Sequence, residues 1–230
     1  MMTFCKEIRQ ESQLYWEGSF RHPFVKGIVD GSLDLEKFKF YMLQDAYYLK
    51  HYAKILALAA VKAEDQQMTY FLEQTHYIHM AELQVHELVF DHLKVSKTEL
   101  DNFIPAPTTH NYINHLYEAI YNGTLAEAFA AMIPCPWLYQ EIGEKYKNAQ
   151  PAQPLYQNWL AFYGSNDYKK AVEKQIRMMN DYAEAEPDKI ETFKELFKKS
   201  CYYEWKFWEM SWTLESWEGE VLAYDFDRNS

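Results

Sequence analysis

Apolar residues recur at three- and four-residue steps over long stretches of this chain, and that spacing predicts amphipathic α-helices. The first covers about residues 3–19, and a short one follows His22-Pro23. A long helix is predicted from Asp34 to about Lys62, with Phe38, Tyr41, Met42, Tyr48, Leu49, Tyr52, Leu56 and Ala59 on one stripe. Further helices are expected over about Gln66–Leu93, Thr108–Tyr121, Leu125–Lys147 and Pro154–Tyr163, then Asp167–Glu184 and Asp188 to about Trp217. That makes roughly eight to ten helices. Punctuation agrees with these limits: Thr124 and Glu127 form a capping box, Gly123 closes the helix before it, and Pro187 separates the last two. The stretch Ile133-Pro134-Cys135-Pro136-Trp137 interrupts its helix. Each proline pushes the residue before it out of the α region, so Ile133 is expected to end one segment. Cys135 is then expected to cap the next helix, with Pro136 at its first position.

Three residues on these stripes are the wrong type for a plain core. Asp45 has Tyr41, Met42, Tyr48 and Leu49 as helical neighbours, so its carboxylate points inward. An Asp held by Tyr hydroxyls for structure alone would show the same spacing. Glu204 replaces an apolar residue on the stripe Ile190, Phe193, Phe197, Cys201, Phe207, Trp208 and Ser211. Burial among such rings raises a carboxyl pKa, the condition for a general acid near neutral pH; a structural ion pair is the alternative. Cys135 at a helix start feels the positive end of the dipole, which favours the thiolate, although a buried structural thiol at a proline kink is equally ordinary. Cys5 and Cys201 carry no such signal.

Composition narrows the function. With 23 basic against 34 acidic residues the net charge is −11, so there is no basic footprint for nucleic acid or anionic lipid. Seven Gly and eight Pro are too few for a turn-rich β-fold. Aromatic residues make up 17% of the chain, 19 of them Tyr, and buried Tyr hydroxyls need polar partners. The longest wholly apolar run is Ile55–Val61, which predicts no signal peptide and no transmembrane span. Three widely spaced cysteines make no disulfide framework, so a cytoplasmic setting is expected. Glu73 and His76 form a Glu-x-x-His pair followed by His79, Glu82 and His86, as in di-iron bundles. No second such pair exists elsewhere, and a solvated mixed face is the expected reading.

The motifs Phe40-Tyr41-Met42-Leu43-Gln44-Asp45 followed by Tyr47-Tyr48-Leu49, Cys135-Pro136-Trp137-Leu138-Tyr139, Trp159 to Tyr163, and Tyr203-Glu204-Trp205-Lys206-Phe207-Trp208 are specific when taken jointly. With them the chain resembles the TenA, or thiaminase II, proteins as one domain over residues 1–230. The resemblance implies an all-α bundle like haem oxygenase but without haem, assembled as a homotetramer, with no cofactor and no metal. It implies hydrolysis of 4-amino-5-aminomethyl-2-methylpyrimidine to the hydroxymethyl compound and ammonia and, in many members, of thiamin to hydroxymethylpyrimidine and the thiazole alcohol, as in thiamin salvage. By the same resemblance Cys135 is the nucleophile, Glu204 the acid/base on a ring nitrogen, and Asp45 the carboxylate holding the exocyclic amine. Tyr163 stacks on the pyrimidine, Tyr48, Tyr112 and Tyr139 place hydroxyls around ring and thiol, and Phe207 packs. Asp45, Glu204 and Cys135 stand out by misplacement as well; the tyrosines and Phe207 rest on the resemblance alone. The competing expectations are a non-haem di-iron oxidase on the same fold, using the Glu73 and His76 region, and a non-catalytic regulator.

Overall fold

A computed structural model describes residues 2–82 and 89–217, with the side chains of 81 and 82 excepted, and these residues contain helices and no strand. The N-terminal helix expected over 3–19 is two, α1 (Phe4–Glu11) and α2 (Gln13–Arg21), because Ser12 leaves the helical region at φ −92°, ψ 7°. Pro23 opens α3 (Pro23–Asp30), which ends on Gly31 at φ 80°, a left-handed conformation that glycine adopts without Cβ strain. The long helix α4 (Leu35–Lys62) starts where its sequence says: the Asp34 side chain accepts from the Glu36 N–H.

The stretch expected as one helix over 66–93 is α5 (Asp65–Tyr77) running into a π-helical turn, Ile78–Glu82. Of the remainder of that expectation, residues 83–88 lie outside the described residues and 89–92 are helical. A short helix that apolar spacing does not announce, α6 (Lys97–Asp101), is set by the capping box of Ser96 and Glu99. Then come α7 (Pro107–Asn122) and α8 (Leu125–Met132), the latter started by the expected Thr124–Glu127 box. Next are α9 (Pro134–Lys145), α10 (Pro154–Tyr163), α11 (Asn166–Ala185) and, after a 3₁₀ turn at Pro187–Lys189, α12 (Ile190–Thr213).

The helix α12 is the axis of the molecule: it packs against α2, α3, α4, α7, α8 and α9. Its buried face carries Phe193, Phe197, Cys201, Glu204, Phe207, Trp208 and Ser211. Between α10 and α9 the backbones nearly touch, because a Cβ on Gly143 would collide with the Gly164 nitrogen and the Tyr163 carbonyl carbon. This approach, open only to glycine, sets Tyr163 against the first turns of α9.

Candidate active site

The proline pair corrects one expectation. Ile133 stays helical at φ −64°, ψ −28° and is itself the cap, so α9 begins at Pro134 and Cys135 occupies its second position. Both prolines then lie in the first turn, where amide N–H groups have no intrahelical acceptor and their loss costs nothing. Carbonyls just upstream, Met132 stranded by Pro136 and its neighbour Ala131, find side-chain donors. Tyr52 donates to the Met132 carbonyl at 3.4 Å, the acceptor a residue other than proline at 136 would have used, and Ser200 donates to the Ala131 carbonyl at 2.7 Å. The kink is thereby tied to α4 and α12, and it holds Cys135 half-buried where these helices converge.

Glu204, 2% exposed, accepts a hydrogen bond from the Tyr112 hydroxyl at 2.6 Å, and the Cys135 thiol stands beside it close enough to hold its carboxyl pKa down. Among the described residues no Lys or Arg pairs with it, so the ion-pair alternative does not describe this carboxyl. Burial pushes its pKa up to about 8; the bonds from Tyr112 and Cys135 oppose the rise and the nearby Asp45 adds to it. The Cys135 thiol is pushed well up, first by burial and then by the Glu204 carboxylate, with the Tyr48 hydroxyl pulling the other way. Desolvation thus opposes the dipole's pull on this thiol, and a helix N-terminus contributes at most about 2 kcal/mol. The Tyr48 hydroxyl faces the sulfur and the Tyr112 hydroxyl and makes no well-formed hydrogen bond within the chain. The Phe207 ring stands edge-on to Tyr48 and Tyr41, at 6.1 and 5.9 Å between centroids.

On the open side of the thiol is a cavity of about 290 Å³, at the lower edge of the size of small-molecule sites. Asp45, Cys135, Tyr139 and Tyr163 line it, while Glu204, Tyr48, Tyr112 and Phe207 lie behind the sulfur, outside its lining. The eight residues singled out from sequence thus fall into a wall and a backing layer, joined through the Cys135–Glu204 contact. Asp45 is 7% exposed, and its charge acts on Tyr41, Tyr139 and the thiol. Tyr163 meets Tyr139 and Trp159 edge-on, each at 4.8 Å. Sequence reasoning passed over Tyr41, whose hydroxyl donates to that of Tyr139 at 3.2 Å and accepts from Trp159 Nε1 at 3.3 Å. It also passed over Tyr52, Tyr70 and Gln175 in the cavity wall. Tyr41 and Tyr52 lie four residues before and seven after Asp45, the helical spacing that could have found them. Glu73, His76 and His79 are exposed and stand outside the lining; the side chains of Glu82 and His86 lie outside the described residues.

The model of the TENA/THI-4/PQQC family matches residues 9–214. The chain belongs to this family. It is 39% identical over 223 residues to an aminopyrimidine aminohydrolase of Bacillus subtilis (strain 168), covering 96% of this chain and 94% of that one. A TenA homologue from P. horikoshii OT3 superposes with a TM-score of 0.87 at 28% identity, over 92% of this chain and 99% of the other. A domain with a haem oxygenase-like fold from Shewanella denitrificans OS217 superposes at 0.71 and 17% identity, over 90% and 91%. The all-α, haem oxygenase-like architecture expected from sequence is therefore the fold of this protein. No helix among the described residues is long and apolar enough to cross a membrane.

Proposed function

We propose that this protein hydrolyses 4-amino-5-aminomethyl-2-methylpyrimidine to the hydroxymethyl compound and ammonia, and thiamin to hydroxymethylpyrimidine and the thiazole alcohol. The observation that carries the reading is a thiol and a buried carboxylate from two helices in the wall of one cavity, with a neutral-range carboxylic acid from a third helix set beside the thiol from behind. Asp45 accepts from the exocyclic amine, Tyr163 covers the ring, and Glu204 reaches a ring nitrogen past the thiol once substrate is seated. As the sulfur bonds to the ring, Glu204 gives its proton to that nitrogen and takes the thiol proton in exchange along the contact already present. The methylene C–N bond then breaks: Glu204 passes the former thiol proton to the departing nitrogen, which leaves as ammonia, whereas the thiazole of thiamin leaves neutral without it. Water bonds to the methylene and gives its proton to Glu204, or to solvent when thiamin reacts, the C–S bond breaks, and the ring-nitrogen proton returns through Glu204 to the sulfur. Every proton is carried by Glu204, the thiol or water.

We place this chemistry in the cytoplasm, where all three cysteines, free in the structure, stay reduced. Exposed Val61, Leu72, Ile104 and Tyr121 offer apolar surface for assembly into a homotetramer. The test is incubation of the purified protein with the aminomethylpyrimidine: ammonia and hydroxymethylpyrimidine are expected in equal amounts, and an absence of both overturns the reading.

A further inference from the structure

Behind the thiol, α7 and α12 are joined by two polar rungs one helical turn apart. On α7, Tyr112 and His115 are three residues apart; on α12, Ser200 and Glu204 are four apart, so each pair shares a face. One rung is the bond from Tyr112 to Glu204 at 2.6 Å. The other joins His115 Nε2 to Ser200 Oγ at 3.0 Å, and the Ser200 hydroxyl goes on to the Ala131 carbonyl at 2.7 Å. Both His115 and Ser200 are buried, and neither lines the cavity.

A hydroxyl has one proton and a carbonyl can only accept, so Ser200 gives its proton to Ala131 and His115 Nε2–H donates to Ser200. Burial first and Lys199 next push the His115 pKa down to about 4, so the ring is uncharged near neutral pH and its single proton is the one on Nε2. The Tyr203 ring holds the imidazole further, at 5.7 Å from His115 and stacked on Tyr112 at 5.2 Å. The chain of bonds therefore runs one way, from α7 through α12 to the last turn of α8. In an unbroken helix the Ala131 carbonyl would serve the Cys135 N–H. Here it is anchored to α12 one turn from Glu204, so the helix that carries the acid also tethers the segment leading into the thiol. Apolar groups in place of both partners of a buried bond would cost little stability, but they would let the helices slide. A satisfied polar network fixes their position.

Resting on the function proposed above, we infer that His115 and Ser200 are positioning residues for the reaction, setting the Cys135 sulfur against the Glu204 carboxyl through the Ala131 carbonyl. Neither touches a reacting atom. Proton exchange between thiol and carboxyl needs hydrogen-bond reach, and a misplacement of about 1 Å lowers a rate about a hundredfold. A slackened tether therefore costs rate and not substrate affinity.

The test is steady-state turnover of the aminomethylpyrimidine, measured below the melting transition of each variant. Ser200→Ala removes the tether and should lower kcat by about ten- to a hundredfold, with KM within about threefold of wild type. His115→Phe keeps a ring and deletes the donor, and should lower kcat by about threefold or more; His115→Gln, whose amide N–H stands in for Nε2–H, should return kcat to within about twofold of wild type. In the Glu204→Gln background no proton exchange is left to align, so Ser200→Ala should change the residual turnover by less than about twofold. A rung that serves only the fold would lower the melting temperature and leave kcat alone, or lower kcat equally in both backgrounds. Either result overturns the inference, as do a rise in KM at constant kcat, a His115→Gln no better than His115→Phe, and loss of the folded state in both Ser200→Ala and His115→Phe. Should Ser200→Ala alone fail to fold, His115→Phe in both backgrounds decides by the same readings. A wild type inactive on the aminomethylpyrimidine, or a Glu204→Gln with near wild-type turnover, is instead the failure of the function reading.

Discussion

Cys135 and Glu204 divide one task, and their separate removal should leave different signatures. Cys135→Ser is expected to abolish ammonia release without unfolding, since a serine alkoxide in this buried position is far less available than a thiolate; Cys201→Ser, at a buried thiol outside the cavity lining, should stay active. The reverse pattern in a turnover assay removes the nucleophile assignment. Asp45→Asn keeps an acceptor but loses the charge, so the Michaelis constant should rise for both substrates, and an unchanged constant returns Asp45 to a structural role. Glu204 has its folded pKa raised from 4.5 to about 8. The folded protein therefore holds a proton that the unfolded chain releases, and stability falls as pH rises from about 4.5 to about 8. Glu204→Gln cannot titrate, so its melting temperature relative to wild type should climb between pH 5 and pH 8; a flat difference contradicts the burial argument. Asp45 and Glu204 were legible in sequence because a carboxylate on an aromatic stripe breaks the helical spacing of apolar residues. Gln175 breaks the stripe Val172, Ile176 and Met179 in the same way and went unread, because an uncharged amide is a weaker signal. The backing tyrosines are invisible to this logic, since aromatic residues belong on such stripes anyway.

Helix limits written in capping chemistry were readable: Asp34, Thr124 and Pro154 each sit at or beside a helix start. The turn at 133–136 was misread by two positions, since two prolines in one first turn are tolerated together when the Met132 carbonyl that Pro136 strands gains a donor from Tyr52 and the neighbouring Ala131 carbonyl gains one from Ser200. Those donors come from other helices and cannot be seen locally. The π turn after α5 and the split at Ser12 are likewise tertiary outcomes. Contact between α9 and α10 gives the sharpest expectation among the elements. Gly143→Ala must push Tyr163 off Tyr139, costing about 1–3 kcal/mol of stability. Activity should fall with it, by more than the stability loss explains at a temperature where the variant is folded. A chemical denaturation curve beside a rate measurement checks both, and a variant with wild-type values shows that the close approach is not needed.

The whole molecule wraps its helices around α12 and keeps the site's polar groups at the meeting of α4, α7, α9 and α12. Net charge argued against a nucleic-acid partner and apolar spacing for helices, but which faces meet other copies is not written in spacing, because an exposed Val61 or Tyr121 looks like any surface residue. Sedimentation is expected to give a mass four times that of the 27.5 kDa chain, and a monomer at micromolar concentration refutes the tetramer. The account as a whole rests on proton transfer by Glu204. Its most direct test is turnover of 4-amino-5-aminomethyl-2-methylpyrimidine by Glu204→Gln at neutral pH, beside a binding isotherm for the hydroxymethyl product. Turnover should fall by about two to four powers of ten while product affinity changes only slightly; near wild-type turnover contradicts the mechanism, whatever the fold and family.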